Sequence, residues 1–375
     1  MALKKKRLSV IKIQPIHIII LLVVIGILLA LNLSLIIQRE PLLQEGQKPK
    51  PIIIGWIGPL SGSVSFLGTQ NVKSVSKAVD EYNVSRSATQ PEISLVTSDD
   101  SYKAETAVAL YEQMVATYQP KAIFVNTYSA MFPIAQRASK DNVIIIDPLD
   151  NDRHVSILSP NIFLIAKRTE DLGKAIAADI LAHGYKTVKI TYYAGDDFMP
   201  SVAFSLNKTL GSSGVAVVMH NYTVLGEEEI AAHVDFATKI RPDVNVFLGY
   251  SETGVLMKKY RDASLHSAFY AINTAMVQTS RGALEGTRIL QLTGADGNLV
   301  QDWTAAQAYD AASILMGAIK NLGGQTISPE NLKAQLLNVK NFKGLSGNIS
   351  INPDGSSTGI TWGTYIFKKG ALVQP

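Results

Sequence analysis

Short apolar runs alternate along this chain with stretches in which apolar residues recur every three or four positions, and this alternation restricts the possible folds more than any other feature. The first run, at 52–57, precedes a helical pattern whose apolar positions are Val72, Val75, Val79 and Tyr82. Further runs at 93–97, 122–126 and 143–147 are separated by stretches of the same helical period. This repetition predicts an α/β fold in which helices cover a parallel sheet.

A second series of the same kind begins after Arg168. A helical pattern at 172–181 leads into predicted strands at 187–193, 215–221, 244–250, 268–272 and 289–293. A long helix is then expected at 303–322, where Gly323 and Gly324 follow as a stop signal. The segments 347–351 and 359–368 flank residues 352–355, whose Pro and Gly predict the tight reversal of a β-hairpin. Two α/β sheets are therefore expected in succession.

The N-terminal segment 16–37 contains 22 residues without a charge, which is enough to span a bilayer core of about 30 Å. Basic residues precede it, so the positive-inside tendency predicts a cytoplasmic tail at 1–15 and everything after the span outside. Residues 38–51, with three prolines among polar side chains, are typical of an extended linker. We expect a single-pass anchor in the cytoplasmic membrane. A cleaved signal peptide is the alternative, although the segment is long for one and lacks an Ala-x-Ala site.

The charge of the chain is concentrated in this N-terminal tail. Five of the 35 basic residues precede position 13, which leaves 30 against 31 acidic residues in the remainder. A nearly neutral body lacks the basic surface that phosphate backbones require, so nucleic acid is not an expected partner. The absence of cysteine excludes disulfides, thiolate metal sites and a lipid-attachment cysteine.

Catalytic and cofactor motifs are also missing from the sequence. The glycine-rich turn at 55–62 follows the first predicted strand but matches neither the phosphate-loop nor the dinucleotide pattern. This turn either serves the backbone geometry alone or offers N–H groups and the hydroxyl of Ser61 to a small anion. Asp99 and Asp100 are best explained as helix-capping residues. No histidine spacing suits a metal and no nucleophile elbow is present, so we expect neither an enzyme nor a cofactor.

Four segments, in order, carry a resemblance to a known family. They are Ile-Gly-Pro-Leu-Ser-Gly at 57–62, Ser-Asp-Asp-Ser-Tyr-Lys-Ala-Glu-Thr-Ala-Val at 98–108, Ala-Tyr-Asp-Ala-Ala-Ser-Ile-Leu at 308–315 and Phe-Lys-Gly-Leu-Ser-Gly-Asn-Ile-Ser at 342–350. Together they resemble the type I periplasmic binding proteins, and within them the leucine/isoleucine/valine-binding group that serves branched-chain amino acid ABC transporters. The resemblance runs from about Ile52 to Val373.

The resemblance implies two Rossmann-like lobes joined by three crossovers and closing on a ligand about a hinge. The crossings would fall near Ala166, Thr293 and Leu345. The first lobe would then comprise residues 52–165 and 294–345, and the second lobe residues 166–293 and 346–375.

The resemblance also implies a set of ligand-binding positions between the lobes. Tyr128 with Ser129, and then the stretch from Leu149 to Asn151, match positions that hold an amino acid's carboxylate in that family. Leu67, Phe198 and Tyr250 match aromatic positions, from which Leu67 departs. Asn273 stands where an acidic residue normally pairs with the ligand's ammonium group, and an amide cannot supply that charge.

From these features we expect an extracytoplasmic solute-binding protein that captures a small polar or carboxylate-bearing ligand, amino-acid-like or amide-like, between its lobes. Its partner would be the permease of an ABC importer. The alternative is a membrane-anchored sensory or assembly ectodomain that works with a separate membrane signalling protein.

Overall fold

A computed structural model of the chain describes residues 50–62, 64–272 and 283–375. The predicted cytoplasmic tail at 1–15, the predicted anchor at 16–37 and nearly all of the predicted linker at 38–51 therefore lie outside the described residues. Within the described ranges, no helix combines the length and the apolar character needed to cross a membrane.

The described residues form ten helices and fifteen strands. The helices are α1 Ser65–Ser85, α2 Ala104–Tyr118, α3 Tyr128–Ala138, α4 Arg153–Ser156, α5 Thr169–Ala182, α6 Phe198–Ser212, α7 Glu227–Ile240, α8 Thr253–Asp262, α9 Trp303–Asn321 and α10 Pro329–Leu337. The strands are β1 Ile52–Gly58, β2 Ile93–Asp99, β3 Ala122–Val125, β4 Ile144–Asp147, β5 Ile162–Leu164, β6 Thr187–Tyr193, β7 Ala216–Tyr222, β8 Val244–Leu248, β9 Ala268–Ile272, β10 Arg288–Thr293, β11 Leu299–Val300, β12 Phe342–Lys343, β13 Gly347–Ile351, β14 Ser357–Lys368 and β15 Ala371–Val373.

The first lobe is built on a five-stranded sheet in the order β2-β1-β3-β4-β5, and every pairing in it is parallel. Strands β3, β4 and β5 are buried along their whole length, as expected for a sheet with helices on both faces. On one face, the late helix α9 packs against α1 and joins Ala308, Leu315 and Ile319 to the core around Trp56. The chain thus returns to its first lobe after building the second.

The second lobe holds the sheet order β12-β13-β14-β10-β9-β8-β6-β7. The strands β7, β6, β8, β9 and β10 are parallel neighbours, and β14 closes the series as an antiparallel partner of β10. Helices α5 and α6 cover one face through Leu172, Ile176 and Val202. The predicted succession of two α/β sheets and the predicted two-lobed α/β fold are confirmed.

The predicted hairpin near the C-terminus is confirmed, and it ties the two lobes together. Strands β13 and β14 pair antiparallel, and β14 lies in the second sheet, whereas Ile349 and Ile351 of β13 lie in the core of the first lobe. The turn before β14 also reaches back to β5, because the Leu164 N–H donates to the Gly355 carbonyl at 2.9 Å. The predicted division of the lobes at residue 346 stays a prediction.

Gly355 offers a stability test of this junction between the hairpin turn and β5. Its φ is 80°, and a Cβ atom there would lie 2.0 Å from the Ile162 carbonyl oxygen. Gly297 has the same φ of 80°, with no atom within 4 Å of its Cβ position. Because left-handed backbone costs an alanine about 1 kcal/mol and overpacking adds about 2 kcal/mol, we expect Gly355→Ala to destabilise by about 3 kcal/mol and Gly297→Ala by about 1 kcal/mol. Urea unfolding of both variants checks this, and equal losses would contradict the packing argument.

Candidate functional site

The loops that follow the parallel strands of both lobes meet in a cleft. A cavity of about 950 Å³ is lined by Tyr128 and Asp150 of the first lobe and by Phe198 and Ser201 of the second. Such a crevice at the carboxyl ends of strands is the usual ligand position in open α/β sheets. The cleft between the lobes is therefore the candidate binding site.

A tyrosine and a carboxylate form the centre of the second-lobe wall. The Tyr250 hydroxyl donates to Asp196 Oδ2 at 2.6 Å, and the Tyr193 ring lies edge-on to the Tyr250 ring with centroids 5.8 Å apart. Asp196 Oδ1 accepts the N–H groups of Phe198 and Met199, both at 3.0 Å, at the start of α6. Burial, and then the neighbouring charge of Asp196, raises the pKa of Tyr250, so its hydroxyl stays protonated and remains a donor.

Tyr102 faces this centre from the first lobe. It follows β2 and, like Ser101 before it, adopts left-handed backbone, with φ values of 60° and 52°. Burial raises the pKa of Tyr102, and the charges of Asp150 and Asp196 raise it further. Because Asp196 belongs to the other lobe, this electrostatic contact crosses the cleft. Tyr102, Asp150, Asp196 and Tyr250 thus form one group of polar side chains supplied by both lobes.

Lys167 lies where the first crossover passes between the lobes. Its side chain is 1% exposed, and its Nζ lies 2.5 Å from the Leu149 carbonyl oxygen and 3.0 Å from Asp150 Oδ1. The same ammonium group sits over two aromatic rings, 4.5 Å from the centroid of Phe198 and 4.2 Å from that of Trp303. Lys167 therefore joins the first-lobe loop after β4 to the second lobe and to the start of α9.

Several sequence-predicted site residues come together in this cleft. Tyr128, Asn151 and Phe198 line the cavity, and the Tyr128 hydroxyl donates to Asp152 Oδ2. Tyr250 lies in the polar group described above. Ser129 is exposed at the start of α3, and the exposed Ser61 places its Oγ 2.8 Å from Ser101 Oγ.

The remaining predicted positions have other surroundings. Leu67 is 7% exposed within α1. Leu149 is buried, and its carbonyl is held by Lys167. Asn151 binds backbone, because its Nδ2 donates to the carbonyls of Ala166 at 3.2 Å and Ser357 at 2.8 Å. Asn273 lies outside the described residues.

The sequence reasoning did not single out Tyr102, Lys167, Asp196 or Trp303. Asp196 has an acidic neighbour, Asp197, and the two side chains differ: Asp197 is exposed while Asp196 is half-buried against Tyr250. Tyr102 stands two positions after the acidic pair at the end of β2, and residues at strand ends of this kind commonly line a cleft. Lys167 and Trp303 are 136 positions apart and carry no local signal.

The sequence matches a family model described as periplasmic binding protein over residues 51–297. The chain belongs to this family. An amino acid binding protein of Pseudomonas aeruginosa is 26% identical over 68% of this chain and 70% of its own length. A Leu/Ile/Val-binding protein of Rhizobium johnstonii is 21% identical over 86% of this chain and 93% of its own. The recognised resemblance to the Leu/Ile/Val-binding group is thereby confirmed.

Solved structures show the same fold in this periplasmic binding protein. A leucine binding protein from Thermotoga maritima aligns with a TM-score of 0.75 at 19% identity, over 86% of this chain and 97% of that one. A solute binding protein from Rhodopseudomonas palustris in complex with benzoate aligns with a TM-score of 0.73 at 16% identity, over 86% and 95%. The matched relatives are binding proteins, which supports the expectation that this chain is not an enzyme.

Proposed function

We propose that this periplasmic binding protein captures a small polar or carboxylate-bearing molecule, amino-acid-like or amide-like, in the cleft between its lobes and delivers it to an ABC importer. The observation that carries the proposal is the polar group shared by both lobes, in which Tyr102 of one faces Asp196 and Tyr250 of the other. A binding site whose residues come from two lobes is complete only when the lobes approach each other, so ligand binding and closure of the lobes are coupled. The names of the relatives, with leucine, isoleucine and valine among their ligands, support the amino-acid-like class.

The proposed contacts follow from the positions in the cleft. Phe198, Tyr128 and Tyr250 supply aromatic surface, while Asp196, Tyr102 and Asn151 supply polar groups around it. Ser61, Leu67, Ser129, Leu149 and Asn273 remain predicted ligand positions from the sequence.

A thermal-shift screen of the purified full chain tests the proposal. The panel contains amino acids, their amides, short carboxylates, aliphatic amines and nucleosides. We expect at least one compound to raise the melting temperature, and Tyr250→Ala to abolish that rise, because a ligand that binds only the folded cleft stabilises it by mass action. Thr358→Ala, at an exposed position of β14, is the matched control that retains the shift. No stabilisation by any compound at millimolar concentration would contradict the proposal.

We also propose that residues 16–37 remain attached and anchor the binding domain outside the cytoplasmic membrane. The uncharged length of this segment and the basic residues before it support the proposal. N-terminal sequencing of the protein from the membrane fraction tests it, and a mature chain that begins after residue 37 would contradict it. A retained anchor also suits the alternative role, a sensory ectodomain that works with a separate membrane protein.

A further inference from the structure

Backbone N–H groups that follow strands β1 and β4 of the first lobe are already occupied by the protein's own carboxylates. Asp147 Oδ1 accepts the N–H groups of Leu149 at 2.8 Å and Asp150 at 2.9 Å. In the loop after β1, Asp99 Oδ1 accepts the N–H groups of Leu60 at 2.8 Å and Ser61 at 3.3 Å. A ligand carboxylate would need such donors, and each of these four N–H groups already donates to an aspartate of the protein.

The second lobe repeats this arrangement. Asp196 accepts the first two N–H groups of α6, and Glu252 Oε1 accepts the Tyr250 N–H at 3.0 Å. Each of these backbone positions would otherwise suit a small anion. Internal carboxyl groups therefore occupy these N–H groups in both lobes, and an incoming carboxylate would have to compete with them.

The carboxylates at the cleft are also poorly neutralised. Lys167 forms an ion pair with Asp150, but Asp100, Asp147 and Asp196 have no ion-pair partner among the described residues. Burial raises the pKa of all three carboxyl groups, because surroundings without water disfavour their charged form. Of the basic residues that also line the cavity, Arg153, Lys174 and Lys208 are exposed to solvent and Arg168 is half-buried. A ligand cation beside Asp196 would favour the charged form of its carboxyl group, which burial alone disfavours.

A residue of the same cavity wall has an unused hydrogen-bond acceptor. Asn151 lines the cavity and is 5% exposed, and its Oδ1 has no partner among the described residues. The amide cannot be reversed without loss, because Nδ2 donates to two backbone carbonyls. A buried acceptor without a donor is costly, and a ligand N–H group would satisfy it.

One positive charge of the protein is already bound beside the cleft, by a carboxylate and two aromatic rings. The Lys167 ammonium contacts the Asp150 carboxylate and the rings of Phe198 and Trp303. Tyr128 and Tyr250 place further aromatic rings around the site, and such rings attract cations through their faces. We infer that the ligand is a small organic cation, with an ammonium or amidinium group and no free carboxylate. This inference rests on the proposed function and narrows its ligand class.

Isothermal titration of the full chain with matched compounds tests the inference. The pairs are leucinamide against leucine, and 3-methylbutylamine against 4-methylpentanoate. We expect the cationic member of each pair to bind at least about tenfold more tightly, and 4-methylpentanoate to give no measurable heat. Equal or tighter binding of leucine or 4-methylpentanoate would overturn the inference and leave the proposed function standing. If none of these four compounds and no compound of the screening panel bound measurably, the proposed function itself would be contradicted.

Two carboxylate-to-amide variants test whether Asp196 supplies the negative charge that binds the cation. Asp196→Asn retains an oxygen for the N–H groups of α6 but removes the negative charge, so we expect at least about tenfold weaker binding of whichever cation binds. Asp243→Asn is the control, because Asp243 Oδ2 caps Lys186 and Thr187 in the same way, at 2.8 and 2.9 Å, at the opposite end of the sheet. An unchanged cation affinity in Asp196→Asn would overturn the assignment of the charge to this wall.

Discussion

Replacement of Lys167 by methionine is expected to lower the free energy of unfolding by about 3–5 kcal/mol, the usual cost of removing one partner of a buried ion pair. The ammonium group is 1% exposed, and it holds the Leu149 carbonyl and the Asp150 carboxylate. Without it, Asp150, whose side chain is only 15% exposed, keeps a charge that water reaches poorly. Urea unfolding followed by far-ultraviolet circular dichroism measures the loss.

Two further variants separate this charge effect from simple truncation. Lys258→Met breaks the exposed pair with Asp262, whose side chains are 61% and 54% exposed, and should cost no more than about 0.5 kcal/mol. The double variant Lys167→Met with Asp150→Asn should recover part of the loss, because no buried charge is then left unpaired. A Lys167→Met variant as stable as Lys258→Met would show that the buried pair contributes nothing.

The position of Lys167 connects stability with binding. It follows the first crossover, and its N–H donates to Gln307 Oε1 at 2.6 Å, so α9 fixes the backbone while Asp150 fixes the side chain. Phe198, which takes part in the cleft, rests against the same ammonium group. Substitutions of Lys167 are therefore expected to alter the orientation of the two lobes relative to each other, as well as to lower the free energy of unfolding.

The alternation of strands and helices could be predicted because each strand is a local apolar run. Four of the first-lobe strands and the helix at 303–322 were located within a few residues of their observed bounds. Strand β5 was missed, since Ile162–Leu164 is too short to show a pattern. Its place depends on pairing with β4 and on the turn around Gly355, which lies almost 200 positions later in the chain.

The polar part of the cleft was harder to predict because its members meet only after folding. Nothing in the sequence near Asp196 indicates that its Oδ2 accepts from Tyr250, 54 positions away. The resemblance located Tyr250 and Phe198 as aromatic positions, yet the loop from Leu149 to Asn151 was expected to hold a carboxylate. In the structure, Asp147 Oδ1 accepts the N–H groups of Leu149 and Asp150, a contact set by the turn itself, and the binding of a ligand carboxylate at this loop stays a prediction.

Lys189 is a buried amine in the second lobe with a different environment from Lys167. It is fully buried, and its Nζ donates to Thr191 Oγ1 at 2.7 Å and to the Tyr260 hydroxyl at 2.9 Å. His233 Nδ1 lies 3.4 Å from Lys189 Nζ, and the described residues provide no carboxylate partner for the amine. Burial lowers the pKa of Lys189 to about 7, so the amine is neutral in the folded protein above that pH.

Lys189→Met is therefore expected to stabilise the protein, most strongly at neutral and lower pH. Between pH 7 and about 10.4 the unfolded lysine binds a proton that the folded one lacks, so the destabilisation caused by burial of Lys189 decreases as the pH rises through this window. Below pH 7 the full cost is present, and its removal should gain about 3–5 kcal/mol. His220 and His233, whose pKa values burial lowers, are neutral throughout the window and do not change the slope.

The decisive measurement compares urea unfolding at pH 7.5 and pH 9.5, a range in which the histidines stay neutral. Wild type should gain about 2–3 kcal/mol relative to Lys189→Met over these two pH units, since each unit adds about 1.4 kcal/mol per proton. The buried tyrosines, whose pKa burial raises, affect both proteins equally. Lys189→Met should lose this gain, whereas Lys239→Met, at a lysine with a 70% exposed side chain, should keep it. If all three proteins had the same pH dependence, Lys189 would have to be charged in the folded state, and its hydrogen bonds to Thr191 and Tyr260 would have to compensate for burial of the ammonium group.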